Sequence, residues 1–500
     1  MNKFDKIVNR LINHYINKDG NEKHEILNFF NRHNVVLQNF NNLLLNNPND
    51  SNSIVLLGRF KHLGIGNNID KQKAFKLYQK AANLKNASGI YNLGYCHENG
   101  IGTSIDKRMA YKLYRKAASL GHASGINSLG YCYDYGIGIS VNKQKAFKLY
   151  QKASRLENAA GINNLGYCYQ HGIGTNIDRQ KAFELYQKAA DLGNASGIYN
   201  LGHCYENGIK TIVDKQMAFE LYQKAANLGN ASGINSLGCC YDNGIGISID
   251  KQKAFELYQI AANLGNADGI NNLGYCYRHG IGTNVNKQKA FELYQKAANL
   301  ENADGINNLG YCYRHGIGTD VDKQKAFELC QKAANLGNAD GINSLGSCYR
   351  HGIGTSVDKQ KAFKLFQKAA NLGNVFGINS LASCYDNGIG TRVDKQKAFK
   401  LYQKAAKLGN SSGINSLGYC YLYGIGTRID NQKAFELYQK AANLGNSSAQ
   451  YNLAFMYENG KGIMKDINQA VYWYKKSAEQ GVQSAQKQLN NLSPYEDFYL

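Results

Sequence analysis

The sequence repeats itself every 36 residues, and this period constrains the fold more than any other feature. One copy, GINNLGYCYRHGIGTNVNKQKAFELYQKAANLENAD, occupies residues 269–304, and about twelve copies follow one another with hardly an insertion. A leucine marks the same place in each copy, from Leu57 through Leu273 to Leu489. A fixed period of roughly 20–50 residues is typical of an array in which each unit buries its apolar side against its neighbours. The sequence therefore predicts one repeat array and not several globular domains.

Each copy predicts an antiparallel pair of helices. The first helix is expected from about Asp268 to Arg278, and an Asx residue, here Asn286, is expected to cap the second helix in every copy. The apolar face of the first helix has i, i+3, i+4 and i+7 spacing, and it consists of Ile270, Leu273, Gly274 and Tyr277. We expect Gly274 to let the second helix pack closely. The predicted fold is all-α, a right-handed α/α solenoid (superhelix) of about twelve 36-residue helix-turn-helix repeats with helical caps.

The two ends of the chain differ from the repeats. Residues 1–50 contain two apolar segments with helical spacing, KIVNRLINHYI and EILNFFNRHNVVLQNFNNLLL. We expect them to form an N-terminal helical cap, because the open end of an array would otherwise leave an apolar face in water. The array is expected over residues 51–483. Residues 484–500 are expected to form a C-terminal capping helix and a short tail, SPYEDFYL.

Composition narrows the classes of function. The formal net charge of +21 amounts to under two charges per repeat. Such an excess favours acidic partners by long-range attraction, but a solvated lysine-rich outer face is the favoured explanation. No apolar run approaches the roughly 18 residues of a membrane span, and the N-terminus does not read as a secretory signal. A cytoplasmic location is therefore expected, with a nuclear one as the alternative.

The cysteines and the glycine-rich turns do not point to chemistry. Equivalent helices of neighbouring repeats are expected about 8–10 Å apart, which is too far for the Cα separation of roughly 4.4–6.8 Å in a disulfide. We expect buried thiols, no metal, no cofactor and no catalytic site. The GIG turns lack the Lys-Ser/Thr of a phosphate-binding loop. The ten cysteines that share one position are Cys96, Cys132, Cys168, Cys204, Cys240, Cys276, Cys312, Cys348, Cys384 and Cys420.

The repeat resembles a known family. A helix pair that reads A-x-x-x-L-G-x-x-Y-x-x-G-x-G, then an Asx cap and A-x-x-W-Y-x-K-A-A-x-x-G, resembles the Sel-one-like repeat (SLR), a relative of the tetratricopeptide repeat. The final full copy carries the pattern at Ala449, Leu453, Ala454, Tyr457, Gly460, Gly462, Asp466, Ala470, Trp473, Tyr474, Lys476, Ala478 and Gly481. Most other copies have glycine in place of the first alanine, and we expect that glycine to loosen the start of the helix. The long array is also similar to fungal SLR proteins, some of which are fused to a protein kinase domain that is absent here.

The resemblance implies a non-enzymatic adaptor. Such a scaffold would hold a partner peptide or domain in its concave groove, in signalling or in the assembly of complexes. Two alternatives stay open, an RNA-binding helical-repeat protein and a regulatory subunit of a membrane-bound enzyme complex. Nucleic acid is the less expected partner, because the groove has basic residues in only three repeats. The oligomeric state is not predicted.

Three positions of the first helix lie off its apolar face and are the candidate partner-binding residues. By resemblance to tetratricopeptide arrays, they face the groove. The amide register comprises Asn127, Asn163, Asn235, Asn271, Asn307, Asn343, Asn379 and Asn415, and tyrosine replaces asparagine in three further copies. The aromatic register, four residues later, includes Tyr131, Tyr167, Tyr275, Tyr311 and Tyr419. Amides can bond the backbone of an extended peptide, and tyrosines offer rigid contact area.

The charge register follows three residues after the aromatic register. It is basic at Arg278, Arg314 and Arg350 and acidic at Glu98, Asp134, Glu206, Asp242, Asp386 and Glu458. A basic step between acidic flanks suggests a seat for an acidic peptide segment. Recent tandem copying explains the same pattern, because the three arginine repeats also share an aspartate near the start of the first helix.

Overall fold

A computed structural model describes residue 11 and residues 22–32, 36–66 and 68–492. Regular structure in this part of the chain consists of 27 helices and no strand, which confirms the predicted all-α repeat fold. None of these helices is both long and apolar enough to cross a membrane. Most of the predicted KIVNRLINHYI helix and the tail SPYEDFYL lie outside the described residues.

The repeats form two compact units, Met1–Gly269 and Ile270–Leu500, each a stack of helix pairs. The first helices are Ser51–Leu63, Ala87–Asn99, Ala123–Tyr135, Ala159–His171, Ala195–Asn207, Ala231–Asn243, Ala267–His279, Ala303–His315, Ala339–His351, Val375–Asn387, Ser411–Tyr423 and Ser447–Asn459. The second helices are Lys71–Asn83, Lys107–Ser119, Lys143–Arg155, Arg179–Asp191, Lys215–Asn227, Lys251–Asn263, Lys287–Asn299, Lys323–Asn335, Lys359–Asn371, Lys395–Lys407, Asn431–Asn443 and Ile467–Glu479.

Three further helices flank the repeats. Glu22–Arg32 and Leu37–Leu45 precede the first repeat, and Gln483–Leu492 follows the last one. Phe30 and Phe40 pack with Phe60 of the first repeat in one apolar cluster. At the other end, Ala485 and Leu492 are buried against the last repeat. The capping role and the boundaries at residues 50 and 483 remain predictions.

Side-chain caps and left-handed glycines set the helix ends. Asn286 accepts a hydrogen bond from the backbone N–H of Lys289, as expected of an N-cap. The preceding helix ends at Gly280, whose φ of 71° is left-handed and therefore favours glycine. First helices also begin at an asparagine cap, and Asn302 accepts from the N–H of Gly305 at 2.7 Å. These local signals explain why one sequence pattern gives the same helix pair throughout the array.

The predicted apolar face is the core of each repeat. Ile270, Leu273 and Tyr277 are between 0 and 9 % exposed. A Cβ atom added at Gly274 would lie 2.9 Å from Cε1 of Tyr294, so glycine does allow the second helix to approach closely. The ten aligned cysteines are buried as free thiols, which confirms the expectation from their spacing.

Glycine near the start of the first helix has a packing role. A Cβ atom at Gly269 would lie 2.7 Å from the Cβ of Ala261 on the preceding second helix. That distance is shorter than a normal van der Waals contact, so glycine brings the two helices together. Whether it also loosens the helix start, as the sequence suggests, remains a prediction.

Aromatic rings join successive repeats within each unit. The ring of Tyr313 meets that of Phe291, on the preceding second helix, edge to face at 5.4 Å. The ammonium group of Lys325, on the following helix, lies 4.6 Å from the centre of the same tyrosine ring. Equivalent contacts recur along both units, so this position of the repeat is structural and unavailable to a partner.

First helices of successive repeats pack directly against one another in each unit. Successive first helices contact one another directly, as Ala303–His315 does with Ala339–His351, whereas no equally extensive contact joins successive second helices in the described residues. Helices on the inner side of a curved stack lie closer together than those on its outer side. That these side chains face a concave groove, as the resemblance implies, remains a prediction.

Candidate partner-binding face

Tyrosines of the aromatic register are exposed on the first helices. Their exposed fractions lie between 40 and 45 % for Tyr131, Tyr167, Tyr275, Tyr311 and Tyr419. Each ring lies against a second ring one helical turn later, as Tyr275 does against His279 at 4.3 Å. Burial, and secondarily the charge of Arg278, lowers the pKa of His279, which favours its neutral form. The stacked pairs offer flat, preorganised aromatic surface.

Two clefts in the first unit are lined by the predicted registers. The smaller, of about 120 Å³, brings the three registers together. It is lined by Tyr131, Asp134, Tyr135, Tyr150, Asn163, Asn164 and Tyr167. The larger, of about 370 Å³, is rich in amides, including Asn127 and Asn163. A third hollow, of about 680 Å³, lies at Lys61 and residues 68–72 and contains none of the predicted residues.

The amide register lies mostly against the neighbouring repeat. Asn163 is 8 % exposed, and its Oδ1 accepts a 2.8 Å hydrogen bond from Nδ2 of Asn200, 37 residues further along the chain. The same bond joins Asn164 to Asn127, Asn308 to Asn271 and Asn452 to Asn415. Asn235 is also buried. These amides hold successive first helices together, so their oxygens are already used within the array.

Three amides lack that bond. Their Oδ1 atoms are buried without a hydrogen-bond partner in the described chain, and they belong to Asn307, Asn343 and Asn379. In each case the next repeat has the shorter serine in place of the donor, at Ser344, Ser380 and Ser416. An unsatisfied buried polar atom costs roughly 1–3 kcal/mol. Three successive repeats therefore carry an unused acceptor.

Acidic residues of the charge register bond within their own repeat. The Tyr222 hydroxyl donates to the Glu206 carboxylate at 2.6 Å, and similar pairs are Tyr114 with Glu98 and Tyr474 with Glu458. The shorter aspartates bond a lysine at the start of the second helix, and Asp134 also accepts from the Tyr150 hydroxyl at 3.3 Å. These 2.7 Å ion pairs are Lys143–Asp134, Lys251–Asp242 and Lys395–Asp386. The predicted acidic flanks are thus largely occupied by structural bonds.

The three arginines of the charge register reach towards the next repeat. The guanidinium carbon of Arg278 lies 4.1 Å from the ring centre of Tyr311. Arg314 donates to the hydroxyl of Ser347 at 3.4 Å, and Arg350 donates to that of Ser383 at 3.3 Å. The contacted residues, Tyr311, Ser347 and Ser383, each lie 33 residues after their arginine. All three occupy the aromatic register. No described carboxylate forms an ion pair with these arginines.

Sequence reasoning missed the partners of these residues. Asn164, Asn200, Asn308 and Asn452, one position after the amide register, supply the donors of the inter-repeat bonds. The consecutive asparagines in copies such as GINNLG were a signal for them. The aspartates that the arginine repeats share are also inter-repeat partners, because Asp304 accepts from Asn338 at 2.7 Å. No group of three or more His, Cys, Asp and Glu side chains in the described chain could hold a metal ion.

Solved structures similar to this chain include bacterial repeat proteins. A protective antigen of uropathogenic Escherichia coli strains displaying an SLR fold is 28 % identical with a TM-score of 0.45, and the alignment covers 84 % of this chain and 90 % of that one. A Sel1 repeat protein from Oxalobacter formigenes is 26 % identical with a TM-score of 0.38, covering 62 % and 89 %. Cysteine rich protein B of Helicobacter pylori is 32 % identical with a TM-score of 0.22, covering 26 % and 94 %.

The family assignment rests on the repeats themselves. No curated protein matches the sequence. The matches to the Sel1 repeat cover residues 51–86, 87–122, 123–158, 159–194, 195–230, 231–266, 267–302, 303–338, 339–374, 376–410, 411–446 and 447–482. With twelve matched segments over most of its length, the chain belongs to the Sel1 repeat family.

Proposed function

We propose that this protein is a non-enzymatic scaffold that binds a peptide or domain of a partner protein on the inner face of its first helices. Sel1 repeat proteins are generally protein-interaction scaffolds. The observation that supports this face is the cleft at Tyr131, Asn163 and Tyr167, where exposed aromatic rings and amides of two repeats meet. Signalling and complex assembly are the settings in which such a scaffold would act.

The face has the properties of a protein-binding surface. Aromatic side chains lose little conformational entropy on binding and dominate interface energetics. Their register recurs every 36 residues, so an extended partner would meet similar contacts in several repeats. Once one repeat has bound such a ligand, the effective concentration of its remaining contact groups at the other repeats is high, so several weak contacts together give a higher affinity. The proposed partner is therefore an elongated segment, and the neighbouring clefts are its contact sites.

Affinity purification with mass spectrometry tests the proposal. The variant combines Tyr131→Ser with Tyr167→Ser, because serine already occupies the aromatic register at Ser347 and Ser383. The matched control carries Lys152→Ser and Lys188→Ser, two exposed positions on second helices.

We expect the tyrosine variant to lose protein partners that the wild type and the control retain. Identical partner sets for all three proteins would refute this face as the binding site.

A further inference from the structure

Three equivalent niches of the second unit combine polar groups from two adjacent repeats. Each contains an arginine of the charge register and the amide and aromatic positions of the following repeat. The niches are Arg278 with Asn307 and Tyr311, Arg314 with Asn343 and Ser347, and Arg350 with Asn379 and Ser383. In the first unit, the equivalent residues Asp134, Asn163 and Tyr167 line a single cleft. The three positions of a niche therefore border a common space.

Most hydrogen-bonding capacity in the niches is unused. A guanidinium group has five N–H donors, whereas Arg314 and Arg350 each make one long bond to a serine hydroxyl, at 3.4 and 3.3 Å. Arg278 lies over the Tyr311 ring and close to the Tyr294 hydroxyl, and it forms no ion pair within the described chain. The three amide oxygens of the niches also have no partner in the described chain, but they are buried and therefore closed to a ligand. The niches thus offer cationic donors.

Packing within the repeat does not account for the arginines. In other repeats a carboxylate at this position accepts the hydroxyl of a buried tyrosine, as Glu206 does for Tyr222. In the Arg278 repeat, burial raises the pKa of Tyr294, and the nearby Arg278 guanidinium group opposes that rise. In the other two arginine repeats, Cys330 and Phe366 replace the tyrosine. The arginine repeats therefore lack the tyrosine–carboxylate bond of repeats such as the Glu206 repeat, and a role in binding would explain the arginines.

The spacing of the niches selects a ligand geometry. First helices in direct contact have axes about 8–10 Å apart, and the Ala303–His315 and Ala339–His351 helices, which carry Arg314 and Arg350, are in contact. The 36-residue period implies the same step from Arg278 to Arg314. A polyproline II helix has three residues per turn and rises about 3.1 Å per residue, so one side of it recurs every 9 Å or so. In a β-strand, successive side chains point to opposite sides, so residues i and i+3 face away from each other. A strand could therefore not bring every third side chain to the same row of arginines.

We propose that Arg278, Arg314 and Arg350 bind carboxylates at every third position of a polyproline II segment in a partner protein. The inference rests on the proposed scaffold function and names the chemistry of its partner. Guanidinium groups bind carboxylates through two parallel hydrogen bonds.

Fluorescence anisotropy with the full chain and labelled synthetic peptides tests this proposal. The probe is a twelve-residue peptide of four Glu-Pro-Ala units, and the matched control has the same composition with its glutamates contiguous. We expect the spaced peptide to bind at least about tenfold more tightly, because only its carboxylates match the repeat. Equal affinity for the two peptides would overturn the proposal, as would tighter binding of a twelve-nucleotide RNA through the same arginines.

Substitutions identify the groups involved. The variant R278Q/R314Q/R350Q should lose at least about tenfold in affinity for the spaced peptide. Glutamine occupies this position naturally at Gln170, so the helices should be kept, and circular dichroism checks this. The variant Ser344→Asn keeps all three charges and gives the buried Asn307 oxygen a donor, so it should bind the spaced peptide as tightly as the wild type does. Unchanged affinity in the arginine variant would refute the role of the arginines, and so would an equal loss in Ser344→Asn.

The two proposals fail in different experiments. If the spaced peptide does not bind while Tyr131→Ser and Tyr167→Ser still remove protein partners, only the acidic-segment inference is wrong. If the tyrosine variant retains every partner, the proposed scaffold face itself is wrong, whatever the peptides do.

Discussion

The Tyr222 hydroxyl donates a 2.6 Å hydrogen bond to Glu206, and this pair connects the second helix of a repeat to the first. The tyrosine is 1 % exposed, so water cannot replace the acceptor. Burial, followed by the bond to Glu206 and its charge, raises the pKa of Tyr222, and the hydroxyl keeps its proton. The acidic residues of the charge register thus stabilise their own repeat, whereas the arginines at the same position contact the next repeat instead.

Glu206→Ala should destabilise its repeat by about 1–3 kcal/mol, because the Tyr222 hydroxyl would remain buried without an acceptor. Glu206→Gln keeps an acceptor of the same length and should cost much less. The double variant Glu206→Ala/Tyr222→Phe should recover most of the loss, since both polar partners are then gone. Hydrogen exchange of residues 195–227 measures the local free energy of opening. Equal losses in the Ala and Gln variants would show that charge, and not the acceptor, is what matters.

Ser344→Asn should stabilise the second unit by about 1 kcal/mol, because its Nδ2 can donate to the unpartnered Oδ1 of Asn307. The bonded copies, such as Asn308 with Asn271, show that the geometry allows this bond. Ser128→Asn is the matched control, because the preceding repeat has Tyr91 at the amide position and therefore no amide oxygen to accept the new bond. Urea unfolding and local hydrogen exchange measure both variants. A gain of equal size in the control would mean that helix propensity, and not the new bond, is responsible.

Much of the fold follows from local sequence. The expected first helix, from about Asp268 to Arg278, is Ala267–His279 in the structure, and the predicted cap at Asn286 is present. Local signals were sufficient because a helix begins and ends through contacts among residues three or four apart. The period then placed the apolar faces together. The handedness of the predicted solenoid remains a prediction.

The candidate face was less predictable, because its bonds join different repeats. Asn271 and Asn307 are in identical local sequence, yet only Asn271 has its acceptor satisfied, by Asn308. The difference arises 37 residues away, where one repeat has asparagine and the other has serine. Likewise, the sequence around Arg278 does not reveal that the guanidinium group of this residue lies over the Tyr311 ring. Periodicity fixes which residues are equivalent, and side-chain length decides which of them meet.

The stability of the first unit should depend on pH through His122. This residue takes the cap position that asparagine holds in most repeats, and its Nδ1 accepts the N–H of Gly125 at 3.1 Å. Burial lowers its pKa to about 4, against roughly 6.5 for an unfolded chain. Below about pH 6.5 the unfolded state therefore binds more protons, so stability is complete above that pH and declines towards pH 4. The loss at pH 5 is expected to be about 2 kcal/mol.

The variant His122→Asn isolates this effect. Asparagine supplies the same cap without a titrating group, so the difference in local stability between the two proteins should be small at pH 7 and large at pH 5. His62, whose pKa burial also lowers to about 4, titrates in both proteins and cancels in the comparison. Urea unfolding at the two pH values is the measurement. A parallel decline in both proteins would assign the pH dependence to groups other than His122.

Lys210→Gly should stabilise its repeat, because Lys210 has a left-handed φ of 58° in a turn where other copies have glycine. At the equivalent Gly246, an added Cβ would overlap the Lys215 backbone oxygen, so a side chain there is crowded as well as strained. Relief of the backbone strain alone is worth about 1 kcal/mol. Lys85→Gly is the control, since Lys85 is also left-handed but the equivalent Gly121 has open space around it. Thermal unfolding should therefore show a larger gain for Lys210→Gly than for Lys85→Gly, and equal gains would mean that crowding at residue 210 contributes nothing.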